Sequence, residues 1–148
     1  MKTQTDRCGW IVAGTLAVVV GLAGSVEAAK PSRSTGAPTQ ASGSEAAVIS
    51  QTNAARARQG LPPLMADSQL MHGARNHAHW MASSNNLSHG SGVSENIGMG
   101  QTSAGEIVNN WMNSPGHRSN ILDGSHTRIG VGVAYSSNGT PYWCQQFR

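Results

Sequence analysis

At Thr127 the apolar period of the chain changes, and that change bounds the fold more tightly than any other feature. Upstream, apolar residues recur three and four positions apart; from Thr127, Ile129, Val131, Val133 and Tyr135 alternate with Gly130, Gly132 and Ala134. Alternation at two residues is strand patterning, here with small residues on one face. Ser137-Asn138-Gly139 supplies turn chemistry, and Tyr142 to Phe147 returns as the partner strand. Helices first and an antiparallel hairpin last argue for an α+β layered domain.

Three helices are expected before the switch. Ser42-x-x-Glu45 has capping-box spacing and leads into Val48, Ile49, Thr52 and Ala55 on one face, with Gly60 and Pro62-Pro63 as the stop. Asp67 is the N-cap of a second helix. Its apolar stripe is Leu70, Ala74, Ala78 and Met81, with His72, Arg75, Asn76 and His79 on the opposite face and His77 beside the stripe. Ser103-x-x-Glu106 opens a third, short helix with Ile107, Val108 and Trp111 inward, ended by Ser114-Pro115-Gly116.

The N-terminus reads differently. Lys2 and Arg7 precede an apolar run from Trp10 to Val20, and the small residues of Val26-Glu27-Ala28-Ala29 suit a signal peptidase, so residues 1–28 are expected to be a secretory signal peptide. Residues 29–44, AKPSRSTGAPTQASGS, have almost nothing to bury and read as a flexible linker, leaving residues 45–148 as the domain. The expected location is therefore extracellular or periplasmic, with no membrane span after cleavage. Removing Cys8 with the leader leaves Cys144 alone, so the fold must stand on its core, and Cys144 could link two chains only if exposed.

Charge excludes one class of partner. Of the ten Lys or Arg, eight lie beyond the leader and are spread thinly, with no basic cluster interleaved with aromatics, so nucleic acid is not implied. Five acids lie in the same region and each can be asked for a local job. Glu45 and Glu106 occupy capping boxes, Asp67 is an N-cap and Asp123 precedes Gly124 in a turn. Glu95 has none. It stands six positions after His89 in the stretch SHGSGVSENIG, whose glycines let the backbone bring the two side chains together. His117 and His126, both expected in loops, are free to converge on them, whereas the His72-to-His79 string lacks the i, i+4 spacing of a helix-borne metal site.

These pieces together resemble the CAP superfamily, the cysteine-rich secretory, antigen 5 and pathogenesis-related proteins, whose domain is also called sperm-coating-protein-like. The residues that carry the resemblance occur in family order: Asn53-x-x-Arg56, Gly60-Leu61-Pro62-Pro63-Leu64, Leu87-Ser88-His89, Glu95-Asn96-Ile97, Trp111-Met112-x-Ser114-Pro115-Gly116-His117-Arg118-x-Asn120-Ile121-Leu122, Thr127-x-Ile129-Gly130-Val131-Gly132 and Tyr142-Trp143-x-Gln145. The form is similar to the short bacterial branch. The resemblance implies an α-β-α sandwich, with a small antiparallel sheet between helical layers and a cleft on one side. It further implies a cleft of two histidines and two glutamates able to hold a divalent metal such as zinc. His89 and Glu95 match the first pair. The second histidine would be His126, one place off the family position, or His117, and no acid follows Trp111 to supply the second glutamate.

Two functions follow from that cleft, lined by His89, Glu95, Asn96, His117 and His126. One is a secreted binding module for a small apolar ligand, such as a lipid, or for an extracellular protein. The other is metal-assisted hydrolysis of a peptide or cell-wall bond, with His89 and His126 (or His117) on the metal and Glu95 as general base on a bound water. The missing carboxylate favours binding.

Overall fold

The computed structural model describes residues 41–148; the leader and most of the linker lie outside the described residues. Within them the chain runs α1 (Gly43–Ala57), β1 (Met65–Ala66), α2 (Ser68–Ser84), β2 (Ser94–Met99), α3 (Ala104–Met112), α4 (Pro115–Leu122), β3 (Arg128–Tyr135) and β4 (Pro141–Phe147). The first helix thus starts two residues before the expected domain boundary, because the Ser42–Glu45 capping box is closed in both directions.

The four strands lie in the order β1-β3-β4-β2. The hairpin β3–β4 is antiparallel, with Val131 opposite Gln145 and Val133 opposite Trp143. β2 joins the other side of β4, also antiparallel, with Glu95 opposite Gln146 and Asn96 opposite Gln145. The expected all-antiparallel sheet is extended by a short parallel edge, since Met65 and Ala66 pair with Arg128 and Ile129 of β3. Two residues of strand carry too little pattern to be legible beforehand.

Helices cover both faces. On one, Val48, Ala55, Ile107, Val108 and Trp111 of α1 and α3 pack with Ile121 of α4 and with Ile129, Val131, Trp143 and Phe147 of the sheet. On the other, Ala74, Ala78, Met81 and Ala82 of α2 pack against Ile97, Tyr142 and Cys144. The small face of β3 explains how α2 comes so close: a Cβ on Gly130 would collide with the backbone of Leu70 and Met71, and one on Gly132 with that of Ala74 and Arg75. The expected stripe Leu70, Ala74, Ala78 and Met81 is buried, joined by Met71.

Three local expectations need correction. Arg75 does not face solvent from α2: its Nε and Nη2 donate to Glu45 Oε1 and Oε2 at 2.8 and 2.6 Å, so Glu45 joins two helices as well as capping one. Glu106 accepts from Thr102 N–H and Oγ1–H rather than closing a reciprocal box with Ser103. Pro115 does not only end α3; it sits at the first position of α4, where its missing N–H costs nothing.

Candidate functional site

β2 positions the site. Glu95, expected in a loop, is on this strand beside β4, and successive residues of a strand point to opposite faces. Glu95 therefore faces the α2 layer, while Asn96 faces the layer of α1, α3 and α4. The two do different work.

Glu95 is a hub whose carboxylate is almost fully buried, at 2% side-chain exposure. Oε1 accepts the Gly90 N–H at 2.9 Å and lies 3.2 Å from His89 Nδ1. Oε2 accepts Gln146 Nε2–H at 3.0 Å and the Cys144 thiol at 3.2 Å. Burial pushes the Glu95 carboxyl up, but the Gln146 and Gly90 hydrogen bonds, the Cys144 thiol and the charge on His77 outweigh it and hold the pKa below its ordinary 4.5. The same burial, with Glu95 alongside, pushes the Cys144 thiol well up. Cys144 is fully buried, so the condition for a link between two chains is not met.

His77 belongs to this cluster, and no site role was expected for it. Its Nε2 lies 2.8 Å from the Ser88 carbonyl and 3.7 Å from Glu95 Oε1, and its ring stacks on Trp80 at 5.6 Å. The signal was faint. His77 flanks the apolar stripe of α2, one turn before Met81, which faces it toward the sheet edge rather than toward solvent. Asn85 ends α2 in the left-handed conformation, at φ 49°, and Gly92 at φ 87° turns the chain into β2. The loop between them is pinned by His77 at Ser88 and by Glu95 at Gly90, which presents His89 at the rim with 56% of its side chain exposed.

The ring beside His89 is that of His117, which is on α4 rather than in a loop. Its ring centre is 6.3 Å from that of His89. Burial first, and then the charge of His89, lower its pKa from 6.5, and its Nδ1 is buried without a hydrogen-bond partner. His126 makes its contacts elsewhere. It stacks on Phe147 at 5.2 Å, its Nδ1 lies 3.1 Å from the Asn120 carbonyl, and its Nε2 lies 3.9 Å from Asp123.

Asn96 ties the site to the fold instead of lining it. Fully buried, it donates to the His117 carbonyl at 3.0 Å and to Gln145 Oε1 at 3.1 Å, and its Oδ1 accepts from Asn120 at 2.9 Å. Gln145 passes the chain on to Thr52 Oγ1 at 2.8 Å. α1, β4, β2 and α4 are thus joined by buried amides, each partnered.

Residues 49–147 match the sequence profile of CAP, the Cysteine-rich secretory protein family. The chain belongs to that family. This CAP domain is also 40% identical over 138 residues to YkwD, an uncharacterized protein of Bacillus subtilis (strain 168), the match covering 81% of the chain and 52% of that relative; the chain therefore spans about half its length. An extracellular protein containing a SCP domain from Bacillus anthracis superposes with TM-score 0.61 at 27% identity, over 72% of this chain and 40% of that one. An outer surface protein of Borrelia burgdorferi shares the fold at TM-score 0.62 and 18% identity, over 68% and 87% of the two chains. Among the described residues no helix of the CAP domain is long and apolar enough to cross a membrane.

The family cleft implies a divalent metal, and the residues do not fit a closed site for one. Structural zinc takes four protein ligands and catalytic zinc three. Here His89 and His117 offer two imidazoles, Glu95 is engaged on both oxygens, and among the described residues no group of three or more His, Cys, Asp and Glu side chains is arranged to hold a metal.

Proposed function

We propose that this CAP domain is an exported binding module, and that the His89–Glu95–His117 cluster contacts a ligand without hydrolysing it. The observation that carries this reading is the saturation of Glu95. A general base must offer an accessible lone pair to a water. Glu95 spends Oε1 on Gly90 and His89 and Oε2 on Gln146 and Cys144, at 2% exposure. It is a positioning residue: with Nδ1 of His89 protonated, the carboxylate fixes the tautomer and leaves Nε2 as an acceptor at the rim. His117, half-buried with its ring centre 6.3 Å from that of His89, is the second imidazole of the cluster. Trp80, Leu87 and Val93, on α2 and the loop that carries His89, are exposed and supply apolar surface for a small apolar ligand or an extracellular partner. Export is supported by the leader-like residues 1–28 and by the extracellular relative from B. anthracis.

The test is a pair of measurements on the purified chain. With peptidoglycan and a mixed peptide library, with and without added zinc, no product is expected; turnover that disappears in a folded Glu95→Gln variant would overturn the binding reading. Mass spectrometry of an organic extract of the protein recovered from culture medium is expected to show a bound molecule that His89→Ala and His117→Ala retain less well. Recovery of the same molecule at equal occupancy from both variants would place the ligand elsewhere.

Acid stability follows from the depressed carboxyl. A group whose pKa is lower in the folded than in the unfolded chain adds stability above the unfolded value and loses it as pH falls through the folded value. For Glu95 that window opens at about 4.5 and extends downward. His117, lowered from 6.5, adds a separate loss that begins as pH falls below that value. Urea unfolding of wild type and Glu95→Gln is expected to show a gap at pH 7 that narrows below pH 4.5. A gap unchanged with pH would mean that the Glu95 charge adds nothing to stability.

A further inference from the structure

We infer that the surface around Trp80, formed by α2 and the loop that follows it, binds a neutral oligosaccharide. This rests on the reading of the His89 rim as a binding surface and names its extracellular partner.

Residues 76–94 contain no Asp, Glu, Lys or Arg, although they run from the middle of α2 through the loop to the start of β2. Within that uncharged stretch Trp80 is 47% exposed. A large aromatic side chain left half in water forgoes much of the gain of burial, about 25 cal/mol per Å² of apolar surface. The indole is nonetheless held in place, because its ring is parallel to that of His77 within 10° at 5.6 Å between centres. His77 in turn brings Nε2 to 2.8 Å from the Ser88 carbonyl, and a Cβ on Gly90 would lie 3.6 Å from its Cε1. Trp80, His77, Ser88 and Gly90 are therefore contiguous, and His89 stands between the last two with 56% of its side chain exposed. A fixed aromatic ring thus lies beside a polar rim.

The rim selects the chemistry of the partner. A ligand's carboxylate or ammonium would leave water here without a permanent opposite charge to meet it. The exposed polar groups are neutral donors and acceptors: the Asn85 and Asn86 amides, the Ser91 hydroxyl and the His79 and His89 imidazoles. Among the described residues, the Trp80 indole N–H and the Asn86 amide make no hydrogen bond. A pyranose ring has the complementary division. Its axial C–H groups form an apolar face that lies on the partly negative face of an aromatic ring, and its hydroxyls radiate from the edge toward amides and imidazoles. Leu87, 44% exposed and adjacent to Ser88, extends the apolar part. An acyl chain would use the apolar part alone and strip water from the polar groups without replacing it.

NMR and tryptophan-fluorescence titrations of the purified chain test this. The probes are cellotetraose, chitotetraose and maltotetraose as neutral sugars, tetragalacturonate as an acidic one, and phosphatidylcholine vesicles as a lipid surface. A saturable shift of the Trp80 indole N–H is expected with at least one neutral sugar. Trp80→Ala is expected to weaken that binding about tenfold or more, as loss of an aromatic anchor does, while Trp80→Phe keeps a flat ring and loses less. Amide spectra unchanged away from α2 show that each variant is folded. No saturation with any neutral sugar, saturation by tetragalacturonate alone or by the vesicles alone, or unchanged affinity in Trp80→Ala would overturn the proposal. The two readings fail separately. If the molecule extracted from the exported protein depends on His89 and His117 but no neutral sugar saturates Trp80, the binding reading stands and the oligosaccharide falls. If a neutral sugar saturates Trp80 while His89→Ala and His117→Ala retain the extracted molecule equally well, the Trp80 site stands and the role of the two histidines falls.

Discussion

Replacing Arg56 with alanine is expected to remove about 4 kcal/mol or more of folding stability, measured by urea unfolding at neutral pH. Arg56 is fully buried, and among the described residues no carboxylate forms a direct ion pair with it, although the charge of Asp123 reaches it. Its guanidinium instead donates to four carbonyls: Pro62 at 2.9 Å from Nε, Ile121 and Asp123 at 2.8 Å each from Nη1, and His126 at 3.3 Å from Nη2. Truncation strands these acceptors, and each buried group left unpaired costs about 1–3 kcal/mol. It also leaves a cavity the size of the side chain. A domain of this size commonly has about 5–15 kcal/mol in total, so the variant sits near the limit of folding. Arg56→Lys keeps the charge but not the planar fork, and is expected to lose about half as much. A loss below about 1 kcal/mol for the alanine variant would show that water takes over the carbonyls without cost.

The second large effect concerns a position with no side chain. Gly130→Ala is expected to lower the melting temperature by roughly 10 °C or more, corresponding to about 2–3 kcal/mol of overpacking. The added methyl would occupy the place of the Leu70 carbonyl and the Met71 amide, and main chain cannot rotate aside as a side chain can. Either α2 rises from the sheet, loosening Ala74, Ala78 and Met81 from their seats, or β3 bends. Calorimetric melting of the single variant decides the matter, and an unchanged transition would mean that α2 floats on this face. Gly139→Ala is a useful contrast, since a Cβ there meets nothing and only its φ of 83° is strained.

What was legible in the sequence divides along physical lines. Caps and periodicity are local, so α1, α2, α3 and the hairpin could be placed from Ser42, Asp67, Ser103 and the alternation after Thr127. β2 could not, because Glu95-Asn96-Ile97-Gly98 shows no alternation of apolar and polar residues: both faces of this strand are covered, and its polar side chains are buried with partners. α4 was hidden by Pro115-Gly116, which reads as a break until the proline is seen at a helix start. The site followed the same rule. Local roles for the other acids set Glu95 apart, and the family resemblance paired it with His89, which lies 3.2 Å from it. The choice between His117 and His126 depended on a rotation about the chain that spacing cannot give, and His77 was concealed in a helix whose other histidines face outward.

The order of the strands has a further consequence for how the protein comes into being. β4, the last strand along the chain, is an inner strand, and β2 has no other neighbour in the sheet. Until residues 141–147 are available, β2 and β3 have nothing between them, Glu95 lacks both Gln146 and Cys144, and Asn96 lacks Gln145. Helices can form early, but the sheet closes only by contacts distant in sequence, which makes closure slow. A polypeptide emerging from a ribosome keeps this sheet open until residues 141–147 arrive, and then the hydrophobic layers, the buried amide chain and the rim that presents His89 are completed together.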